Sequence, residues 1–149
     1  MTRADPHGHT LRLLDRRYDD PVVQLLVAET QQVYVERYGG PDETPMTAPE
    51  FAPPNGRFVL AYLDDEPAAI GGWRRRTAEV SSRLPGVSPA EIKRMFVRSH
   101  LRGLGLARAV LTYLESTAAA AGVDQLVLET GMRQPEAIAL YQSSGYIPI

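Results

Sequence analysis

Residues 91–107 read EIKRMFVRSHLRGLGLA, and this stretch decides the fold. Residues 91–97 have the composition of a β-strand, and residues 103–121 follow with the apolar spacing of a long helix. Between them, glycines at 103 and 105 let an anion approach the backbone without meeting a Cβ. A helix N-terminus adds unpaired N–H groups and the positive end of a dipole. The stretch therefore predicts a strand–turn–helix unit that binds a phosphate group.

Two common nucleotide-binding turns do not match this sequence. A P-loop ends in Gly-Lys-Ser/Thr, which does not follow here. The dinucleotide-binding turn requires Gly or Ala at the position of Arg108. A helix start that packs tightly on the sheet, without a ligand, stays open as the alternative for this turn.

Signals on both sides of this unit predict the remaining elements. Pro21 follows Asp19 and Asp20, which are favourable residue types at a helix start, and Gly122 stands where a left-handed helix cap favours glycine. The predicted strands cover residues 9–14, 58–63, 68–76, 91–97, 125–129 and 146–149, and the predicted helices cover 21–38, 103–121 and 135–144. This order predicts a mixed sheet with helices on both faces.

Composition excludes several classes of protein. The 149 residues include 16 Lys and Arg, 18 Asp and Glu and no Cys, which gives a net charge of −2. This charge is a poor match for nucleic acid, and the lack of cysteine excludes a thiolate nucleophile. The three histidines show no metal-binding spacing, and neither a secretory signal nor an apolar run of membrane-spanning length occurs. We therefore expect one cytoplasmic domain without a metal, a nucleic-acid partner or a membrane partner.

Residues 91–145 resemble the acetyl-CoA-binding core of the GNAT superfamily of N-acetyltransferases. The Arg/Gln-x-x-Gly-x-Gly/Ala signature of that family matches Arg102 to Ala107, and its Asn-x-x-Ala-x-x-Leu-Tyr-x-x-x-Gly-Phe/Tyr pattern resembles Gln134 to Tyr146. The resemblance implies the α/β (α+β mixed) class, with a central, mostly antiparallel mixed sheet that is splayed between two strands and covered by helices on both faces. It also implies one domain over residues 1–149, with acceptor-side elements in residues 1–60.

The family's final strand is missing from this sequence, because the chain stops at Ile149, where that strand would begin. Either the sequence is a piece of a longer chain, or a partner supplies the sheet edge. An open edge favours pairing with another copy, so a homodimer is one expectation.

The resemblance also assigns roles to individual residues. Tyr141 would protonate the departing thiolate, since a phenol with a pKa near 10 stays protonated at pH 7. Glu91 is the candidate base for the acceptor amine, directly or through a water; a solvated strand end is the alternative. If no bulge interrupts the strand, alternation places Glu91 on one face with Lys93, Met95 and Val97. The implied acetyl-CoA contacts are the backbone of Met95, Phe96 and Val97, the phosphate turn Arg102, Gly103, Leu104, Gly105, Leu106 and Ala107, and the amide of Gln134.

No sequence motif identifies the residues that bind the acceptor amine. Trp73 is a candidate for lining the acceptor pocket, with a place in the core as its alternative. Glu29 lies with Glu36, Asp42 and Glu43 on elements that frame the acceptor in the family, where acidic groups would favour a cationic amine; an ordinary solvated face is the alternative.

The resulting prediction is acetyl transfer from acetyl-CoA to a primary amine of a small molecule. The amine would attack directly, because no Cys or Ser elbow offers a covalent route. Two alternatives stay open: an acetyltransferase for protein lysines or N-termini, and a non-catalytic acyl-CoA-binding regulatory domain.

Overall fold

The computed structural model describes residues 2–4, 8–76, 88–128 and 134–147. Within them, six strands form one sheet in chain order: β1 (Thr2–Ala4), β2 (Thr10–Asp15), β3 (Gly56–Leu63), β4 (Glu66–Arg75), β5 (Pro89–Val97) and β6 (Gln125–Leu128). Neighbours from β1 to β5 are antiparallel, and β6 is parallel to β5. The predicted mixed and mostly antiparallel sheet is confirmed.

Local sequence signals set the helix boundaries. The helices are α1 (Pro21–Tyr38), α2 (Leu106–Ala120) and α3 (Pro135–Ser143). The Asp20 side chain caps α1 by accepting hydrogen bonds from the backbone N–H groups of Val22 and Val23 at 2.8 and 3.3 Å. Gly39 ends α1 with a φ of +82°. No helix in the described ranges has the length and apolar character needed to cross a bilayer.

Several elements differ from the sequence prediction. The second long helix begins at Leu106 rather than residue 103, because Gly103 and Gly105 adopt left-handed conformations with φ of +82° and +78°. The three-residue strand β1 was not predicted, since so short a segment carries no periodicity. Tyr146 and Ile147 form no strand, and residues 129, 148 and 149 of the predicted strands lie outside the described residues.

Helices cover both faces of the sheet, as predicted. Along β3, Phe58 and Leu60 belong to the core cluster beneath α1, whereas Val59 and Ala61 belong to the cluster beneath α2. This alternation follows from the two-residue period of a strand. Both sets are almost fully buried, so β3 has apolar side chains on both faces and runs through the centre of the core.

A bulge interrupts the middle of β5. Ile70 of β4 pairs with Phe96 and Gly72 pairs with Lys93, so Gly71 stands opposite two residues, Arg94 and Met95. Arg94 adopts a φ of +60°, the left-handed conformation that is uncommon for residues other than glycine.

The bulge shifts the alternation of β5 by one residue. Ala90 and Ile92 pack toward α2 before the bulge, and Met95 packs there after it. The expected shared face of Glu91 with Met95 and Val97 required a strand without a bulge, so it does not hold here: Met95 and Val97 pack on the opposite face, with Ala90 and Ile92.

The described pairing between β5 and β6 lies before this bulge. It is parallel and joins Pro89–Ile92 with Gln125–Leu128. The second half of β5, together with Ile92, lines the cavity described next.

Candidate active site

A cavity of about 370 Å³ lies between α1, the second half of β5, the turn before α2, and α3. This volume falls within the usual range for small-molecule sites. Its wall includes Thr30, Val33, Tyr34 and Arg37 of α1, Asp42, residues 92–97 of β5, Leu101, Arg102, Gly103, Gly105, Leu106, Ala107, Arg108, Gln134, Glu136, Ala137, Leu140 and Tyr141.

The glycine turn fits a phosphate group. A Cβ added at Gly103 or Gly105 would meet no atom within 4 Å, so both glycines border open space. Gly105 offers no side-chain cap to α2, and the N–H of Ala109 donates to the Gly105 carbonyl at 3.1 Å. The N–H groups of the three preceding helix residues lack an intrahelical acceptor and are available to an anion.

Two arginines flank the same turn. Arg102 lies 3.7 Å from Glu136, and Arg108 donates hydrogen bonds to the hydroxyls of Ser143 and Ser144 on the α3 side. Both arginines line the cavity and are exposed. They place permanent positive charge beside the open helix N-terminus.

The structure brings most of the predicted cofactor residues to this one cavity. Leu104 is the exception, because its side chain packs on the core beneath α2. The other nine line the wall: Met95, Phe96, Val97, Arg102, Gly103, Gly105, Leu106, Ala107 and Gln134.

Tyr141 lies on the wall of the cavity and is 9% exposed. Its ring packs against Tyr146, with 5.9 Å between the ring centroids. Its hydroxyl has no hydrogen-bond partner among the described residues. Burial, assisted by the nearby Tyr34, raises the pKa of Tyr141 to about 12. The phenol is therefore protonated at neutral pH and able to donate.

Glu91 lies outside the cavity. Its carboxylate accepts hydrogen bonds from Arg74 at 2.6 Å and from Arg76 at 3.3 Å. Arg74 also contacts Glu50, so Glu91 belongs to a charged network in a separate recess. A carboxylate held by two guanidinium groups on the other side of the bulge is poorly placed to accept a proton inside the cavity.

Neither predicted acceptor residue reaches the cavity wall. Trp73 is 1% exposed in the core beneath α2, and its indole N–H donates to the Thr117 hydroxyl at 3.1 Å. The structure thus places Trp73 in the core, which was the alternative to a place in the acceptor pocket. Glu29 instead accepts a hydrogen bond from Arg98 at 3.1 Å.

The structure reveals polar wall residues that sequence reasoning did not select as a site. Arg94 forms an ion pair with Asp42, with 3.2 Å between Nη1 and Oδ2. Gln31 fixes Asp42 by bonding both its backbone N–H and its carbonyl, at 2.8 and 2.9 Å. Asp42 was noted only as one of four acidic residues, and no signal in the sequence indicated its pairing with Arg94, 52 positions away.

Asp42 is charged at neutral pH. Burial acts to raise the pKa of its carboxyl group, but hydrogen bonds from Thr44 and the charges of Arg94 and Lys93 outweigh burial, so the pKa lies below its usual range. At this part of the cavity wall, the Asp42 carboxylate therefore stays ionised beside Arg94 and Lys93.

Comparisons with known proteins agree with this geometry. The model of the acetyltransferase (GNAT) family matches residues 24–146. An IAA acetyltransferase of Azospirillum brasilense is 32% identical over 127 residues, which cover 85% of this chain and 77% of that protein.

Solved structures share the fold. A candidate acyl-CoA N-acyltransferase of Klebsiella pneumoniae superposes with a TM-score of 0.70 at 24% identity, over 92% of this chain and 83% of the other. A predicted acetyltransferase of Clostridium acetobutylicum, solved with acetyl-CoA, gives a TM-score of 0.69 at 14% identity, over 93% of this chain and 91% of the other.

Proposed function

The chain belongs to the acetyltransferase (GNAT) family, and from that premise we propose that it transfers an acetyl group from acetyl-CoA to a primary amine of a small molecule by direct attack of the amine. Family membership itself establishes an N-acetyltransferase, an enzyme that moves an acyl group from acyl-CoA to an amine. The observation that carries the finer proposal is the meeting of an open glycine turn and a buried, protonated phenol on one cavity of small-molecule size.

The chain's own groups suffice to hold the cosubstrate. Acetyl-CoA, when bound, supplies an acetyl group activated as a thioester. The first-turn N–H groups of α2 bind its diphosphate, with Arg102 and Arg108 adding positive charge. Backbone groups of residues 93–97, which line the cavity, bind the remaining polar atoms of an extended ligand.

Tyr141 is the acid of the proposed reaction. It donates its proton to the sulfur as the C–S bond breaks and the new N–C bond forms. It then regains a proton from solvent, which also receives the proton lost by the amine. Its pKa of about 12 keeps the donor form populated throughout the neutral range.

Asp42 replaces Glu91 and Glu29 as the carboxylate proposed to face the acceptor. It lies on the cavity wall, whereas the other two are bound to arginines elsewhere. Its lowered pKa makes it a weak base but a stable anion, so its role is to bind the ammonium form of the amine. Solvent then accepts the proton that this ammonium group loses.

A small acceptor is favoured by the position of the loop that carries Asp42. Gln31 fixes this loop against α1 through two backbone hydrogen bonds, so it forms a wall of the cavity. A protein acceptor needs a groove that accommodates an extended peptide. The loop wall at Asp42 leaves less room for a peptide to reach the cavity.

The experiment is a rate measurement with two substrate panels. Purified protein is mixed with acetyl-CoA and either small primary amines or peptides with free lysines and N-termini, and release of free CoA thiol is followed. We expect amine-dependent thiol release with small amines. Release only with peptides would contradict the small-molecule proposal, and release with neither panel would contradict the enzymatic one.

A further inference from the structure

We propose that the acceptor carries a carboxylate beside its amine, as an amino acid does, and that Arg94 and Lys93 bind this carboxylate inside the cavity. The inference rests on the proposed function, because it names the substrate class of the same site.

Arg94 has more hydrogen-bonding capacity than its contacts with the described residues use. Its side chain is 5% exposed, yet its only ion pair among the described residues is with Asp42. The Nε–H of Arg94 is buried without a partner among the described residues. A guanidinium group has five N–H donors, and burying them unpaired is costly. Arg94 is one of the residues that line the cavity, where a planar carboxylate is the best-matched acceptor for a guanidinium group.

The backbone places Arg94 there at a cost. The φ of +60° at the bulge is a left-handed conformation that is unfavourable for a residue other than glycine. Met95, the next residue, packs toward α2, while Arg94 contacts Asp42 at the end of α1. The bulge thus gives the acceptor side two consecutive cationic residues, Lys93 and Arg94, where simple alternation would give one.

Charge in this part of the cavity is unbalanced. Lys93 has no hydrogen bond or ion pair with a described residue, and Arg94 shares one carboxylate, that of Asp42. Arg37 does not alter the balance, since it is paired with Glu136 at 2.6 Å. Two cations against one anion leave one positive charge in a partly buried site, where an anionic group of the ligand is favoured.

An amino acid satisfies both signs at once. Its ammonium binds Asp42 and its carboxylate binds Arg94 and Lys93, so a zwitterion completes the local pairing that the protein leaves unfinished. The Arg94–Asp42 pair is not required to hold the loop in place, because Gln31 already fixes both backbone groups of Asp42.

The test compares amino acids with the amines obtained by removing their carboxylate, such as phenylalanine with phenethylamine and leucine with isopentylamine. The kcat/KM of each is measured by CoA thiol release. In the wild type we expect the amino acids to be favoured about 10- to 100-fold, the range that a charge-assisted hydrogen bond supplies. Arg94→Gln should bring the two members of each pair to similar values by slowing the amino acids.

Asp42→Asn distinguishes ligand binding from a structural role of the ion pair. Asn keeps an oxygen to accept the Thr44 hydrogen bonds but removes the charge that competes for Arg94. We expect the preference for the amino acid to rise in Asp42→Asn and to fall in Arg94→Gln. A merely structural pair would instead slow both members of each substrate pair equally in both variants, which would overturn the inference.

A binding measurement supplies a readout that does not depend on turnover. With CoA present, N-acetylphenylalanine should raise the thermal midpoint of the wild type and of Arg12→Gln, a control at a surface ion pair outside the cavity. It should not raise that of Arg94→Gln. If Arg94→Gln does not fold, Arg94→Lys keeps the charge without the planar fork and should show an intermediate preference.

Failure of this inference differs from failure of the proposed function. Decarboxylated amines that react as fast as the amino acids in the wild type would overturn the inference alone. Absence of turnover with both members of every pair would overturn the proposed function and the inference with it.

Discussion

Replacing Tyr141 with Phe isolates the proposed acid from the rest of the site. The substitution removes one buried hydroxyl that has no partner among the described residues, so no neighbouring donor or acceptor loses its partner. The ring contact with Tyr146 is kept. We therefore expect the free energy of unfolding of Tyr141→Phe to stay within about 1 kcal/mol of the wild type.

The expected effect on turnover is much larger. General acid catalysis contributes about 10²- to 10⁴-fold. A thiol has a reference pKa of about 8.5, so its thiolate leaves without much help and the lower end of that range applies. We expect kcat to fall about 100-fold. The affinity for acetyl-CoA should not change, because the glycine turn and its flanking arginines remain intact.

The assay measures initial rates of CoA thiol release over a range of acetyl-CoA concentrations, together with urea unfolding. Tyr146→Phe is the matched control. The Tyr146 hydroxyl lies outside the cavity and donates a hydrogen bond to the Glu115 carboxylate, with 3.0 Å between the two oxygens. That variant should lose about 1.5–3 kcal/mol of stability and keep its kcat. A wild-type kcat for Tyr141→Phe, or equal losses in both variants, would refute the acid role.

Three further predictions concern the turn, the packing and the pH dependence. Gly105→Ala adds a Cβ to a left-handed residue beside the phosphate site, so it should lower the free energy of unfolding by about 1–2 kcal/mol and weaken acetyl-CoA binding in calorimetry. Gly39→Ala, at a residue with φ of +82°, should lower the free energy of unfolding by the same amount and leave acetyl-CoA binding unchanged. Gly71→Ala would place a Cβ 2.6 Å from the Met95 sulfur, and urea unfolding should show a loss of about 1–3 kcal/mol. Burial raises the pKa of Tyr141 from 10.0 to about 12, so between these pH values the native state keeps a proton that the unfolded state loses. The resulting contribution to the free energy of unfolding is fully present below pH 10 and should be lost between pH 10 and 12, by up to about 3 kcal/mol. In urea unfolding, the free energy of unfolding of Tyr141→Phe should fall less than that of the wild type over this pH interval.

Each of these predictions has an outcome that contradicts it. Equal acetyl-CoA affinity in the Gly105 and Gly39 variants would remove the turn from the binding site. A wild-type stability for Gly71→Ala would mean that Met95 moves aside without cost. Identical alkaline profiles for the wild type and Tyr141→Phe would show that the Tyr141 phenol titrates normally.

Elements with local chemical signals could be predicted from the sequence. Pro21 after Asp20 gave the start of α1, since capping involves only adjacent residues. The two spaced motifs located the glycine turn and Tyr141 on one site, because their order and separation are typical of a family. The start of α2 was less accurate, since the glycines that favour a phosphate also adopt conformations that a helix does not allow.

Features that depend on contacts between distant segments could not be predicted. The bulge at Arg94 leaves no trace in the order of polar and apolar residues, yet it decides which side chains of β5 share a face. For Trp73 the sequence left both the acceptor pocket and the core open, and its contact with Thr117 of α2, which places it in the core, needs the folded chain. The pairing of Asp42 with Arg94 joins a loop to the middle of a strand and needs the folded chain.

Transfer of an acetyl group to an amine is tested most directly by following the acetyl group itself. The protein is incubated with acetyl-CoA that carries an isotopically labelled acetyl group and with a mixture of small primary amines that includes amino acids, and the products are analysed by mass spectrometry. We expect labelled N-acetyl products in amounts equal to the free CoA released. A folded protein whose thermal midpoint rises with acetyl-CoA but which forms no labelled amide would contradict acetyl transfer, and would leave an acyl-CoA-binding domain without catalysis.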